Sequence, residues 1–240
     1  MATAPKWKDM KKITLFVFLI TLLIACSKHS DNIEPNKQQA EILTEKNQQN
    51  DATAQYNLGM MFENGDGVPQ DFTKAVASFE KAASQGHVNA MYQLGNMYSH
   101  QGIDYAKAVI WYEKAASQGH ADAMYQLGRM HDRGLSDGPY DDAKALAWLE
   151  QAAAQGHTEA MYYLATDYYE DSRADDVKTL AWLEQAAAQG HANAMYDLAS
   201  MYANGQGVTQ DLAKAKFWYK KHCKTARLSN CEDYVKTNTE

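Results

Sequence analysis

The sequence predicts an all-α fold, a right-handed α-solenoid of about five helix-turn-helix repeats plus a short C-terminal capping helix. One observation is a twelve-residue segment, LAWLEQAAAQGH, that occurs at 146–157 and again, unchanged, at 180–191. Another is the tripeptide QGH, which begins at Gln85, Gln118, Gln155 and Gln189. Periods of this length indicate stacked units, because one such unit alone is unable to bury its apolar face.

The first 25 residues predict a signal peptide. Lys11 and Lys12 precede an apolar run at 13–25, which is too short to span a membrane comfortably. Translation starts at Met1 or at Met10, since the residues from Met10 onward form a complete leader by themselves.

The end of this leader carries a lipidation signal. Residues 23–26 read Leu-Ile-Ala-Cys and resemble the lipobox of bacterial lipoproteins, which implies that Cys26 is acylated and that the leader is cut just before it. Ser27 follows, and by the same resemblance the absence of Asp there favours the outer membrane. We therefore expect a protein of the bacterial cell envelope, on the periplasmic side. The alternative is an ordinary signal peptide with a chance cysteine.

The rest of the chain divides into three parts. Residues 26–51 are polar and read as a tether that is in part helical, 52–221 hold the five repeats, and 222–240 form a cap and tail. The net charge is −7 for the whole chain, +3 for its first 25 residues and −10 for the remainder. An acidic body of this kind repels phosphate, so we expect no nucleic-acid partner and membrane contact only through the lipid anchor.

The unit at 88–120 illustrates one repeat. Its first helix places Ala90, Leu94, Met97 and Tyr98 on one face. The second helix follows a turn, and its expected buried residues are Ala108, Trp111, Tyr112 and Ala115. Gly119 is placed to end that helix in a left-handed conformation. In the first and fifth units, Asp71 and Asp211 are placed to cap the second helix.

These motifs identify a family by resemblance. The pattern Ala-x-x-x-Leu-Gly-x-x-Tyr, then Gly-x-Gly-Val, then Ala-x-x-Trp-Tyr-x-Lys-Ala-Ala-x-Gln-Gly resembles the Sel1-like repeat, a relative of the tetratricopeptide repeat. The resemblance covers five units and about 170 residues and implies the fold rather than the function. The turns at 100–102 and 170–173 lack the double glycine, so the second and fourth units depart from the pattern.

Several residues imitate catalytic or metal sites. The four repeat histidines are His87, His120, His157 and His191. Adjacent repeats hold them about a helix pair apart, whereas zinc needs its nitrogen ligands within about 2.1 Å, so we interpret them as turn residues. The pairs Asp141-Asp142 and Asp175-Asp176 precede second helices, where carboxylates cap amides. The sequence lacks HExxH, GxSxG and CxxC motifs. We predict no catalytic residue, metal site or cofactor.

Cys223 and Cys231 are expected to form a disulfide. They occupy repeat columns that meet across the turn between two units, and export places them in an oxidising compartment. The cysteine-rich branch of the Sel1-like family has cysteine pairs with the same separation. The bridge would hold a short closing helix against the last repeat, and two free thiols are the alternative.

One face of the first helices varies between units. All five units share one Leu, which we call the conserved Leu: Leu58, Leu94, Leu127, Leu164 and Leu198. The residue before it and those two and five positions after it change freely, so we expect them to be free of repeat packing. The resemblance to related solenoids, whose first helices line the concave surface, implies that these residues lie there. The fourth unit concentrates tyrosines there and the third contributes two arginines, residue types that are enriched in interface hot spots. The candidate partner-binding residues are Gln126, Arg129, Asp132, Arg133, Tyr163, Thr166, Tyr169 and Glu170. The alternative is an ordinary solvated face.

The sequence thus favours a non-enzymatic protein that binds a protein or peptide partner in the cell envelope. A sharper hypothesis, from family resemblance, is an immunity protein that neutralises a toxin delivered to the periplasm by a secretion system. A competing hypothesis is a β-lactam-binding or peptidoglycan-binding protein. The absence of a Ser-x-x-Lys motif speaks against β-lactam hydrolysis.

Overall fold

The structure is a computed structural model, and it describes residues 51–100, 104–136, 140–170 and 175–239, without the side chains of 167–170 and 233. The signal peptide, Cys26, nearly all of the expected tether and the turn at 171–174 lie outside these ranges. The described residues form eleven α-helices and no strand. In chain order, α1 to α11 are Ala52–Asn64, Phe72–Ser84, Val88–His100, Tyr105–Ala116, Ala121–Asp132, Asp142–Ala154, Thr158–Glu170, Asp176–Ala188, Ala192–Asn204, Leu212–Thr225 and Cys231–Thr237.

The helices form consecutive pairs that repeat along the chain, which confirms the predicted all-α repeat fold. Odd-numbered helices from α1 to α9 are the first helices of the five units, even-numbered helices are the second helices, and α11 follows the last pair. The described residues divide into two compact parts, one that ends at Ala90 and one that begins at Met91. In the second part, each helix from α4 to α10 contacts the next along the chain. Among the described residues, none of the helices combines the length and the apolar character needed to cross a bilayer.

Aspartates fix the starts of the second helices. The carboxylate of Asp71 accepts a hydrogen bond from the amide of Lys74, and Asp141, Asp175 and Asp211 cap their helices in the same way. This capping satisfies amides that have no partner within the helix. Asp141 and Asp175, the first members of the two acidic pairs, are therefore helix caps, and Asp142 and Asp176 are acidic residues of the first turn.

Small residues in the first helices let the second helices approach closely. The Ala and Leu columns of the first helices are buried, and they face a buried column of larger residues: Phe79, Tyr112, Leu149, Leu183 and Tyr219. A Cβ added at Gly95 would lie 2.5 Å from the Tyr112 ring, so only glycine fits there. Trp111, expected in the buried set with Tyr112, is only half-buried. Its outer face carries the Lys114 ammonium, 3.9 Å from the ring centroid.

The C-terminal end is closed by a disulfide between Cys223 in α10 and Cys231 in α11. Their Cα atoms lie 5.7 Å apart, within the usual range for a bridge. Helix α11 contacts α10, so the bridge covers the end of the last repeat.

Candidate functional site

The repeat histidines start the first helices. In His120, His157 and His191, Nδ1 accepts a hydrogen bond from the amide three residues on, at 3.1–3.3 Å. Each of these rings also stacks on a tyrosine of the preceding first helix, with centroids 4.3–4.7 Å apart. His87 does the same with Tyr56. The histidines therefore act as turn residues, and no group of three metal-ligating side chains occurs in the described parts of the chain.

The face predicted to bind a partner holds a cluster on α5, on the residue that ends it and on α7, which we call the tyrosine–arginine cluster: Tyr125, Arg129, Asp132, Arg133 and Tyr163. The Tyr163 hydroxyl donates a hydrogen bond to the Asp132 carboxylate. Its ring meets the edge of Tyr125 at a centroid distance of 6.3 Å. The guanidinium of Arg129 lies 5.5 Å from the Tyr125 ring centroid. The cluster thus joins an aromatic surface, a carboxylate and two cations on one face.

The pKa of Tyr163 is raised above its ordinary value. Burial is the main cause, followed by the hydrogen bond to Asp132 and that residue's negative charge, while Arg133 and Arg129 oppose the shift. The Tyr163 hydroxyl therefore stays protonated at any physiological pH and acts as a fixed donor to Asp132.

The structure places the other predicted residues as follows. Gln126 and Thr166 are half-buried on α5 and α7, and Arg133 is exposed. The Thr166 hydroxyl donates to the Tyr163 carbonyl, at 2.8 Å. The side chains of Tyr169 and Glu170 lie outside the described residues.

Tyr163 differs from expectation in one respect. We expected its column to be free of repeat packing, yet its ring contacts Tyr125 and its hydroxyl binds Asp132 of the preceding repeat. The residue before the conserved Leu faces along the array as well as outward, so its side chain reaches a neighbour when it is as long as tyrosine.

A pocket that the sequence did not reveal lies beside this cluster, among α7, α8 and α9. It has a volume of about 230 Å³, and its lining includes Tyr162, Thr179, Leu183, Asp197 and Met201. The Tyr162 hydroxyl donates to Asp197 Oδ2, at 2.9 Å. Thr166 also lines the pocket, so the pocket adjoins the predicted face. The one signal in the sequence was Thr179, which interrupts a column otherwise held by alanine: Ala75, Ala108, Ala145 and Ala215.

A wider groove on the second-helix side is lined by Ile110, Glu113, Tyr140 and Lys144, among others. There His131 is buried and its Nδ1 lies 2.9 Å from the Ser136 hydroxyl. Burial lowers the pKa of His131. The pair fastens the turn after α5, where the Leu135 amide also bonds to the Met130 carbonyl.

Solved structures place this fold in context. The chain is 27% identical to a Sel1 repeat protein from Oxalobacter formigenes, with a TM-score of 0.71 over 81% of this chain and 83% of that one. It is 24% identical to c5321, a protective antigen present in uropathogenic Escherichia coli strains, with a TM-score of 0.69 over 85% of this chain. It spans only about half, 51%, of that antigen.

A third similar structure is immunity protein PA5088 from Pseudomonas aeruginosa, at 21% identity and a TM-score of 0.54 over 80% of this chain and 74% of that one. No curated protein matches the sequence. The Sel1 repeat model matches residues 52–87, 88–120, 121–157, 158–191 and 192–224. The stacked helix pairs, their glycine and alanine contacts and these five matches agree, and the chain belongs to the Sel1 repeat family.

Proposed function

We propose that this protein is a lipid-anchored, periplasmic binding protein that holds a protein or peptide partner on the face formed by α5 and α7. Repeats of the Sel1 and tetratricopeptide type act as protein-interaction scaffolds. The observation that carries the proposal is the tyrosine–arginine cluster, where two aromatic rings, two arginines and a carboxylate share one surface.

The chemistry of this cluster suits protein recognition. A tyrosine ring offers a large contact area at little cost in side-chain entropy, and arginine pairs with carboxylates through two parallel hydrogen bonds. Tyr163 is already held by Asp132, so it loses little freedom when a partner docks. Arg133 is exposed and available to a carboxylate of the partner.

Site-specific photocrosslinking in cells that make the full-length chain tests this proposal. A benzoyl-phenylalanine replaces Arg133 on the proposed face or, as the control, the exposed Glu150 on second helix α6. We expect a crosslinked protein from position 133 and none from position 150. Equal crosslinking from both positions, or none from position 133, would contradict the proposed face.

The identity of the captured species separates the hypotheses. An immunity protein is the second candidate. The predicted signal peptide and the name of a similar structure, immunity protein PA5088, suggest it. The likeness to that structure itself establishes only the fold. Capture of a secreted toxin whose activity the purified chain inhibits at equimolar concentration would support it. A crosslink that lysozyme digests would support peptidoglycan binding instead.

The lipid anchor is tested at Cys26. The replacement Cys26→Ser removes the sulfur that would carry the acyl group. We expect the variant to move from the membrane fraction to the soluble periplasm or to remain unprocessed, because buried acyl chains contribute about 0.8 kcal/mol per CH₂ group to anchoring. Unchanged fractionation and processing would refute the anchor.

A further inference from the structure

The pocket among α7, α8 and α9 has the size of one side chain. Its volume is about 230 Å³, below the roughly 300–1,000 Å³ of sites that enclose drug-sized ligands. Ala165, Leu183 and Met201 give it apolar walls, and Asp197 and Thr179 add oxygen atoms. An occupant therefore needs an apolar stem and a polar end.

Asp197 places a carboxylate in the pocket. Tyr162 donates one hydrogen bond, to Oδ2. None of the residues that line the pocket in the described part of the chain is Lys or Arg. Burial raises the pKa of the Asp197 carboxyl, whereas the Tyr162 hydrogen bond and the charges of His191 and His222 lower it. A half-buried carboxylate with one neutral donor gains more from a cation than an exposed carboxylate does.

Thr179 supplies a second polar atom. It is 1% exposed, and its hydroxyl oxygen has no hydrogen-bond partner among the described residues. A buried hydroxyl without a partner destabilises a fold, and the other four units hold alanine at this position. The fold therefore does not require a threonine at this position. A hydrogen-bond donor bound in the pocket would give the Thr179 hydroxyl oxygen a partner.

We propose that this pocket receives a lysine or arginine side chain of the protein partner, with the Asp197 carboxylate as its counter-ion. These are the two side chains that join an aliphatic stem to a cationic end. The net charge of −7 also favours a basic partner segment. The inference rests on the proposed function, since Thr166 links the pocket to the face on which the partner docks.

The experiment uses the full chain in detergent micelles with ¹³C-labelled methionine methyl groups, titrated with Nα-acetyl-arginine methylamide and with Nα-acetyl-lysine methylamide. Met201 lines the pocket, and buried Met130 serves as an internal control. The two methionines are equivalent, since each lies three residues after the conserved Leu of its helix, α9 or α5. We expect a saturable shift of the Met201 signal with at least one of these probes and none at Met130. The citrulline analogue, which has nearly the same shape and no charge, should give no saturable shift.

Two variants test the assigned residues. Asp197→Asn keeps an acceptor for Tyr162 but removes the charge, so it should weaken probe binding at least tenfold. Glu150→Gln removes the same charge from an exposed position on α6 and should leave binding unchanged. Thr179→Val keeps the shape of the side chain and should weaken binding a fewfold.

Three results would overturn the assignment: no saturable shift at Met201, an equal response to the citrulline analogue, or full binding by Asp197→Asn. The probes need no partner, so each of these results could occur while crosslinking from position 133 still succeeds. Failure of the pocket is thereby distinguishable from failure of the proposed function.

Discussion

Two adjacent tyrosines of α7 hold carboxylates of different neighbours. Tyr163 donates to Asp132 of the preceding repeat, where Arg129 and Arg133 also act on the tyrosine. Tyr162 donates to Asp197 of the following repeat, where the pocket lining described above contains no arginine or lysine. Arginines of its own chain act on the first pair, whereas the charges that act on Asp197 are those of His191 and His222. Among the described residues, the two regions thus differ in the cations that act on them, arginines in the first and histidines in the second.

The difference arises in one repeat column. The residue before the conserved Leu is Tyr163 in the fourth unit and Asp197 in the fifth. Tyr125, the equivalent of Tyr162, accordingly meets an aromatic ring, whereas Tyr162 meets a carboxylate. A fixed scaffold therefore changes the chemistry of its surface by one substitution per repeat, without altering the helix contacts that hold it together.

Tyr163→Ala should show the largest effect. It removes a proposed hot spot, so we expect the free energy of binding to the crosslinked partner to become less favourable by about 2 kcal/mol or more. Since the ring also packs on Tyr125, the free energy of unfolding should fall by about 1–3 kcal/mol. Titration calorimetry and thermal melting measure the two effects, and Tyr163→Phe, which keeps the ring, should retain most of both. If the folded Ala variant binds the partner normally, this face is not the binding site.

Loss of the disulfide should destabilise the pocket region more than the tyrosine–arginine cluster. Replacing Cys223 and Cys231 by alanine should lower the free energy of unfolding by about 2–3 kcal/mol, because the bridge closes a short loop. Helix α10 contacts α9, which carries Asp197, so hydrogen exchange should rise in α9 and α10 before α5 and α7. Equal loss of protection in all four helices would show that the bridge does not stabilise the pocket region selectively.

Acid should weaken the histidine caps, which limits the pH range for experiments on Asp197. Burial lowers the pKa of His120 below its usual 6.5, and its Nδ1 accepts a hydrogen bond only when it is unprotonated. The unfolded chain therefore binds a proton first, so this stability is present above about pH 6.5 and is lost as the pH falls below it. We expect this cap to contribute up to about 2 kcal/mol to the free energy of unfolding. His120→Asn keeps a capping oxygen and should flatten this part of the stability–pH curve measured by urea unfolding.

Loss of the Thr179 hydroxyl should produce the smallest change. Thr179→Val should raise the free energy of unfolding by about 1 kcal/mol, since it removes a buried hydroxyl that lacks a partner within the described ranges. The reverse change in the third unit, Ala145→Thr, should lower it by about 1–3 kcal/mol, because Ala145 is buried beside Leu149. Urea unfolding of both variants measures the pair, and a destabilised Thr179→Val would mean that the hydroxyl contributes to the fold.

Much of the scaffold could be read from the sequence because each repeat solves the same local problem. The glycine and alanine columns, the aspartate caps and the QGH turns recur at intervals of 33 to 37 residues, so comparison of the repeats indicates which residues pack against their neighbours. His120 illustrates the limit: its spacing assigned it to a turn, but its stacking on Tyr92 and its role as a hydrogen-bond acceptor for an amide depend on atomic positions.

The sequence by itself determined the repeat fold, the capped helices and the face on which the columns vary, since these follow from periodicity and from local hydrogen bonding. Only the tertiary structure decided which variable residues meet. Tyr163 reaches back to Asp132, and Tyr162 reaches forward to Asp197, over separations of 31 and 35 residues. The physical reason is that a charge or a hydroxyl acquires its partner, or is left without one, through the stacking of whole helix pairs, which the period of a sequence does not specify.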